Sequence, residues 1–449
     1  MLDCLASYGV VGDGLKNDTS ALQNAVDDCA SSGGGKITLQ GGKTYLVGTL
    51  TLKSHIEIHF EAGSILKATP NSSDFNVSFG GVALNDSNLE HGDTEKPTVM
   101  LNAENAENIS ITGTGTLDGS GRDYILKDRG SIYEMSLRRP FTIYFRSCNS
   151  ITFRDVRIID GALWTLRLSV CEDVVISGVR IHNDVKIPNS DAIDLDCCRR
   201  VRISDCDLVA GDDAICLKAC LEHTRDSKER VCEDVTITGC TITTTSAAIK
   251  VGTECQTAIR NVTISSCIVH NSSRGLCIRL AEGGHIANIL CTNIILQSSF
   301  PDQLWWGRGE AIAVVAVPRS KSMGTISNLR FRDILCRSEN GVFVYTEQPG
   351  AIQGLVMDNV RIEIDRWSGW EGGFADLRPC KGDPFREMPT NAFHFENADR
   401  IIVRNCEVIW TVKPKDAKYA VYSKACGEFK VEGTCYTPLD NTYESIKIE

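Results

Sequence analysis

The chain has no run approaching eighteen consecutive apolar residues, so a membrane-spanning helix is not expected. It has no excess of basic charge: 47 Lys and Arg stand against 58 Asp and Glu, a formal net charge of −11. Nucleic-acid partners need a basic footprint, and this chain does not supply one. No C-x-x-C pair of metal-site spacing occurs among its 20 cysteines, so no structural metal is expected. Strong helical periodicity is largely missing after residue 35, and no Pro- or Ser-rich linker divides the chain. No charged and then apolar leader precedes Tyr8-Gly9-Val10-Val11-Gly12-Asp13-Gly14, which already reads as folded domain.

What is present is a repeat. A short unit with a turn-forming residue, then alternating β-branched residues, recurs with its first apolar position at Ile109, Ile151, Val174, Val201, Val235, Val262, Ile289, Leu329, Leu355 and Ile401. The intervals are 42, 23, 27, 34, 27, 27, 40, 26 and 46 residues, so the short ones set the period and the long ones hold loops. Units such as Val235-Thr236-Ile237-Thr238 read as strands, and strands at this spacing imply a solenoid whose coils bury one another. A leucine-rich repeat would need a leucine and asparagine consensus that is missing. The expected fold is all-β, a parallel β-helix in one domain over residues 1–449. Residues 1–35 are its N-terminal cap and 36–449 its coils and loops. Within the cap, Asn17 to Val26 reads as a short capped amphipathic helix covering the first rung.

Several cysteines (Cys206, Cys240, Cys267 and Cys406) share one phase of the repeat, which suggests a ladder of buried thiols. With the missing leader, this favours a cytoplasmic protein. A secreted one with a trimmed signal peptide is the alternative.

Two segments carry the chemistry. Asn189-Ser190-Asp191-Ala192-Ile193-Asp194 and Gly211-Asp212-Asp213-Ala214-Ile215 place three carboxylates, Asp191, Asp212 and Asp213, about one repeat apart. On neighbouring rungs, about 4.7–4.9 Å apart, they would crowd one patch of surface. Like charges at that range push at least one pKa upward, giving a protonated acid beside ionised bases. Paired carboxylates of that kind hydrolyse glycosidic bonds. A structural or calcium-binding cluster is the rival reading from spacing alone, and aspartates such as Asp205 and Asp234 read as plain turn formers.

These motifs resemble the N-T-D and G-D-D motifs of glycoside hydrolase family 28, the polygalacturonase family. The similarity extends to Gly9–Gly14, Gly113–Gly119, and Arg139-Pro140 followed by Trp164. The resemblance implies a right-handed parallel β-helix and an inverting mechanism with no cofactor or metal. It implies Asp212 as general acid, with Asp191 and Asp213 holding the attacking water and Asp194 supporting the site beside Asn189. Two family motifs do not match: Ser246-Ala247-Ala248 stands where G-H-G is expected, and Cys277-Ile278-Arg279 where R-I-K is expected. Lys250 and Arg279 are the candidates to replace the lost basic groups on the substrate, and His223 the candidate to replace the histidine. Trp305 and Trp306 are candidates for a sugar-stacking platform, one ring buried and one exposed.

The resulting expectation is an inverting glycosidase of polygalacturonase type, exo-acting on pectin-type or related acidic oligosaccharides. Its partner is an oligosaccharide or polysaccharide, with no nucleic acid and no membrane. The alternatives are a β-helix lyase or epimerase using Ca²⁺ and Lys250 or Arg279 as base, and a carbohydrate-binding solenoid without catalysis. Oligomeric state is not legible in the sequence.

Overall fold

The computed structural model describes residues 4–76, 98–136, 138–220, 230–319, 323–412, 414–436 and 445–449. The chain forms two compact units, one built mainly from residues up to Asp212 and the other from Asp213 onward. Among the described residues no helix is long and apolar enough to cross a membrane.

In the first unit, helix Thr19–Ser31 buries Leu22, Ala25 and Val26. That i, i+3, i+4 spacing makes a single apolar stripe. The stripe faces strands Gly35–Leu39 and Leu50–Thr51. The expected side-chain cap is absent: the carboxylate of Asp18 accepts instead from the N–H groups of Val11 and Gly12, at 2.9 and 2.8 Å. Asn17 Oδ1 takes the Thr19 N–H at 2.9 Å. Asp18 is fully buried, and tying down the preceding turn satisfies it better than the exposed helix end would.

The repeat positions are the register of the sheet. In the first unit Ile109 pairs with Ile151, Ile151 with Val174, and Val174 with Val201, all parallel. In the second, Val235 pairs with Val262, then Ile289, Leu329, Leu355 and Ile401 in turn. Alternation decides which side chains go in: Val235 and Ile237 are buried while Thr236 faces out. Within each of these strands the residue just before the repeat position turns the chain in the left-handed region, with φ of 58°, 57°, 58° and 55° at Asp234, Asn261, Asn288 and Asn328. Asn and Asp tolerate that conformation. Their side chains also form a ladder, with Asn261, Asn288 and Asn328 each donating to the residue one rung back at 2.7–3.0 Å. Asp205 and Asp234 are turn residues of this kind, at φ 56° and 58°.

The phased cysteines are buried as expected, and every described cysteine is free. Each of Cys206, Cys240, Cys267 and Cys406 donates its thiol to the carbonyl two residues earlier, at 3.2–3.4 Å. That local bond gives a small apolar side chain a reason to sit at the turn.

A further set of parallel strands carries the site. In the first unit it runs through Val99–Glu104, Phe141–Arg146, Leu166–Ser169 and Ile193–Asp196. In the second it runs through Ile215–Ala219, Ala247–Cys255, Arg274–Leu280, Glu310–Ala316 and Asn340–Thr346. Every residue of Ile193–Asp196, Ile215–Ala219, Arg274–Leu280 and Glu310–Ala316 is buried. Ionised side chains buried in such strands need an opposite charge or hydrogen-bond acceptors to hold them.

Candidate active site

The two acidic segments are short turns that enter strands Ile193–Asp196 and Ile215–Ala219. Ser190 locks one to the other. Its hydroxyl donates to Ile187 O at 2.8 Å and accepts from Gly211 N at 3.0 Å. Gly211 has no room for a side chain, since a Cβ there would lie 2.2 Å from Ile187 O and 2.6 Å from Ser190 Oγ. The glycine and serine of the two motifs are therefore the joint that sets Asp212 beside Asp191. The nearest carboxylate oxygens of these two lie within 4.8 Å.

Asp212 is half-buried, whereas Asp191 and Asp213 are buried. Asn189, held at φ 56°, donates its backbone N–H to Asp212 Oδ2 at 3.2 Å, with its side-chain amide at 3.5 Å. Behind it stands Arg139, buried, whose guanidinium donates to Ala162 O at 2.9 Å, Pro188 O at 2.5 Å and Asn189 Oδ1 at 3.0 Å. Burial pushes the Arg139 pKa down to about 10, with Asp212 and Asp191 opposing that fall. Arg139 stays charged at neutral pH and offsets the repulsion within the acidic pair.

Asp194 is fully buried and in register with Arg167. The Arg167 guanidinium lies 4.5 Å from the Trp164 ring and 4.9 Å from that of Tyr144. Asp194 thus sits beneath the site, away from any surface a substrate reaches.

In the second unit, Asp213 accepts three bonds: from Ser246 Oγ at 2.9 Å, Ala247 N at 3.1 Å and Lys250 Nζ at 2.6 Å. Burial alone would raise its pKa, but Lys250, Lys218 and Ser246 hold it below the ordinary carboxylate value. Lys250, desolvated yet facing Asp213, is held above the ordinary lysine value. Lys218 pairs with Glu254 at 3.2 Å, and Arg319 bridges Glu254 and Glu282 at 3.5 and 3.1 Å. The Ser246-Ala247 pair that stands in place of the family's glycine and histidine is thus a cradle for Asp213.

The remaining expected residues fall elsewhere. Arg279 is buried and donates to the carbonyls of Leu377 and Pro379, with burial pushing its pKa down to about 10. Trp305 is buried and Trp306 half-buried, where one exposed ring was expected. His223 lies outside the described residues. Arg139, Glu254, Arg274 and Arg319 carry site electrostatics that the sequence reading did not assign. Glu254 lies four residues beyond Lys250, but the strand register shifts between them, so alternation gave no signal for it.

Parallel coils presenting a close carboxylate pair, Asp212 half-buried and Asp191 buried, are the arrangement of a carbohydrate-active β-helix. Residues 52–368 match the family model of glycosyl hydrolases family 28, and the chain belongs to that family. It is similar to a probable polygalacturonase of Vitis vinifera, with 26% identity over 310 residues. That stretch covers 66% of this chain and 60% of the relative, so the chain spans less than two thirds of that protein's length. Its fold is similar to a family 28 exopolygalacturonase of Yersinia enterocolitica, with a TM-score of 0.69 at 15% identity over 97% of this chain and 78% of that one. An exopolygalacturonase from Thermotoga maritima aligns with a TM-score of 0.61 at 17% identity, covering 96% and 91%. At such identity the likeness to these two structures is one of fold.

Proposed function

We propose that the chain is an inverting glycosidase that removes sugar residues from the ends of pectin-type or related acidic oligosaccharides. The observation that carries this reading is the half-exposed Asp212 set against buried Asp191 in a family 28 chain. Asp212 protonates the leaving glycosidic oxygen, and Asp191 and Asp213 orient the water. Asp213 suits that part: three donors keep it ionised, and a carboxylate so bound is a poor nucleophile.

Carboxyl separation bears on the stereochemistry. Inverting pairs stand about 6.5–9.5 Å apart and retaining pairs about 5–5.5 Å. The 4.8 Å limit here applies to the nearest oxygens and is shorter than that inverting spacing. The carboxyl carbons stand back by up to about 1.2 Å on each side. The pair therefore reaches the lower edge of the inverting range only with its oxygens facing one another.

A lyase needs a neutral base. Lys250 is protonated against Asp213, and Arg279 is bonded to two carbonyls, so neither serves.

End-wise action is inferred from the length of the segment between strands Ile352–Ile364 and Phe393–Glu396, since a long loop beside a cleft can close one end of it. Chromatography of digests of acidic oligosaccharides is expected to show single residues or one short product from the first minutes. A ladder of intermediate lengths at low conversion would refute end-wise action.

A further inference from the structure

Within that segment, strands Phe374–Asp376 and Phe385–Glu387 form an antiparallel hairpin. It is firmly tied. Arg274 donates to Asp376 O at 2.8 Å, Arg279 to Pro379 O at 2.7 Å, and Gly307 N to Asp376 Oδ2 at 2.9 Å. Arg378 adds a bond to Asp376 at 2.7 Å. The hairpin walls an open cleft of about 1220 Å³, larger than the about 300–1,000 Å³ usual for small-molecule sites. Arg308, Lys381, Tyr345 and Phe385 are among its lining residues.

Arg308 is the anomaly. It is only 6% exposed, and its guanidinium carbon lies 4.2, 4.8 and 4.9 Å from the rings of Phe300, Phe374 and Phe385. The three faces hold the cation in place. Its hydrogen-bonding capacity is almost unused: Nη1 reaches Gly307 O at 3.3 Å, and Nε is buried with no partner among the described residues. Neighbouring arginines are all engaged, Arg274 with Glu310 and Asp376, Arg378 with Asp376, and Arg386 with Glu396. A buried guanidinium left short of acceptors is costly unless a ligand completes it.

The rest of the lining narrows the ligand. Lys381 offers a second, exposed cation, while Glu347 and Glu387 offer acceptors. Mixed signs disfavour a simple polyanion. They suit a sugar that carries one carboxylate and several hydroxyl donors. Arg274 bonds to Asp376 O and is in register with Ala247, whose N–H meets Asp213, so it joins this wall to the cradle of Asp213.

We propose that the cleft is an accessory subsite for a uronate residue of the substrate, its carboxylate received by Arg308 with Lys381 assisting from the rim. This rests on the acidic-oligosaccharide reading above.

The test compares Arg308→Gln and Lys381→Gln with wild type on acidic pectic oligosaccharides of increasing length and on their carboxyl-reduced counterparts. Turnover is measured in active chains, and calorimetric binding in an Asp212→Asn background. Arg308→Gln is expected to raise Kd and KM for the longer acidic oligosaccharides about 10- to 100-fold with kcat little changed. Binding of the reduced counterparts is expected to stay as in wild type. Unchanged Kd and KM on substrates that wild type cleaves would overturn the subsite while sparing the proposed function. No binding or cleavage of any acidic oligosaccharide by wild type would overturn both. Should Arg308→Gln fail to fold, Lys381→Gln decides: weaker binding of acidic but not reduced oligosaccharides supports the subsite, and unchanged binding overturns it.

Discussion

Asp212→Asn is expected to lower kcat by about 10²–10⁴-fold, the usual weight of a positioned general acid. The substitution is nearly isosteric. The Asn189 N–H that meets Oδ2 at 3.2 Å still finds an oxygen there, so folding and substrate binding should survive. The effect belongs to Asp212 because it alone of the three carboxylates is half-exposed, and a leaving oxygen must be reached to be protonated. Steady-state kinetics with a thermal melt of both chains checks it. Retention of activity within a few fold, in a variant that melts like wild type, would remove Asp212 from the mechanism.

Lys250→Met should damage both stability and rate. It removes the closest partner of a buried carboxylate, leaving Asp213 with Ser246 Oγ and Ala247 N as its remaining bonded donors in this unit. Breaking a buried pair from one side costs about 3–5 kcal/mol. The pH signature has a definite sign. Asp213 is held below its ordinary value, so its contribution is present above the ordinary carboxylate range and is lost as pH falls through the folded value. Lys250 is held above its ordinary value, so its share is present below the ordinary lysine range and is lost as pH rises through the folded value. The pair therefore stabilises the wild type throughout the interval between those ranges. In Lys250→Met the Asp213 pKa should rise, bringing the acid limb of both stability and activity to higher pH. Urea titrations across acid and neutral pH measure this. A variant as stable as wild type at neutral pH, with an unmoved acid limb, would show that the pair does not stabilise the site.

The coils were legible because one period fixes them twice. Val262 or Ile289 marks the strand through alternation, and Asn261 or Asn288 marks the turn through its tolerance of a positive φ. Both signals are local, so the rung-to-rung register could be read directly. The candidate carboxylates Asp191 and Asp212 were legible for a related reason: Ser190 and Gly211 make a tight joint that few residue types satisfy. The surroundings were not. Lys250 and Arg279 read alike as basic residues on successive coils, but Lys250 is in register with Cys277, two positions short of Arg279. What separates their fates is the hairpin of Phe374–Asp376 and Phe385–Glu387, roughly a hundred residues further on, whose carbonyls claim Arg279. No local pattern encodes a contact of that range. The side-chain cap expected of the helix is absent because Val11 and Gly12, in the preceding turn, claim the Asp18 carboxylate.

The most direct test of the central claim is a proton NMR time course on acidic pectic oligosaccharides, read before the product mutarotates. Hydrolysis by Asp212 with water held at Asp191 and Asp213 gives a first-formed product of inverted anomeric configuration. A product of retained configuration, or an unsaturated one, would contradict it.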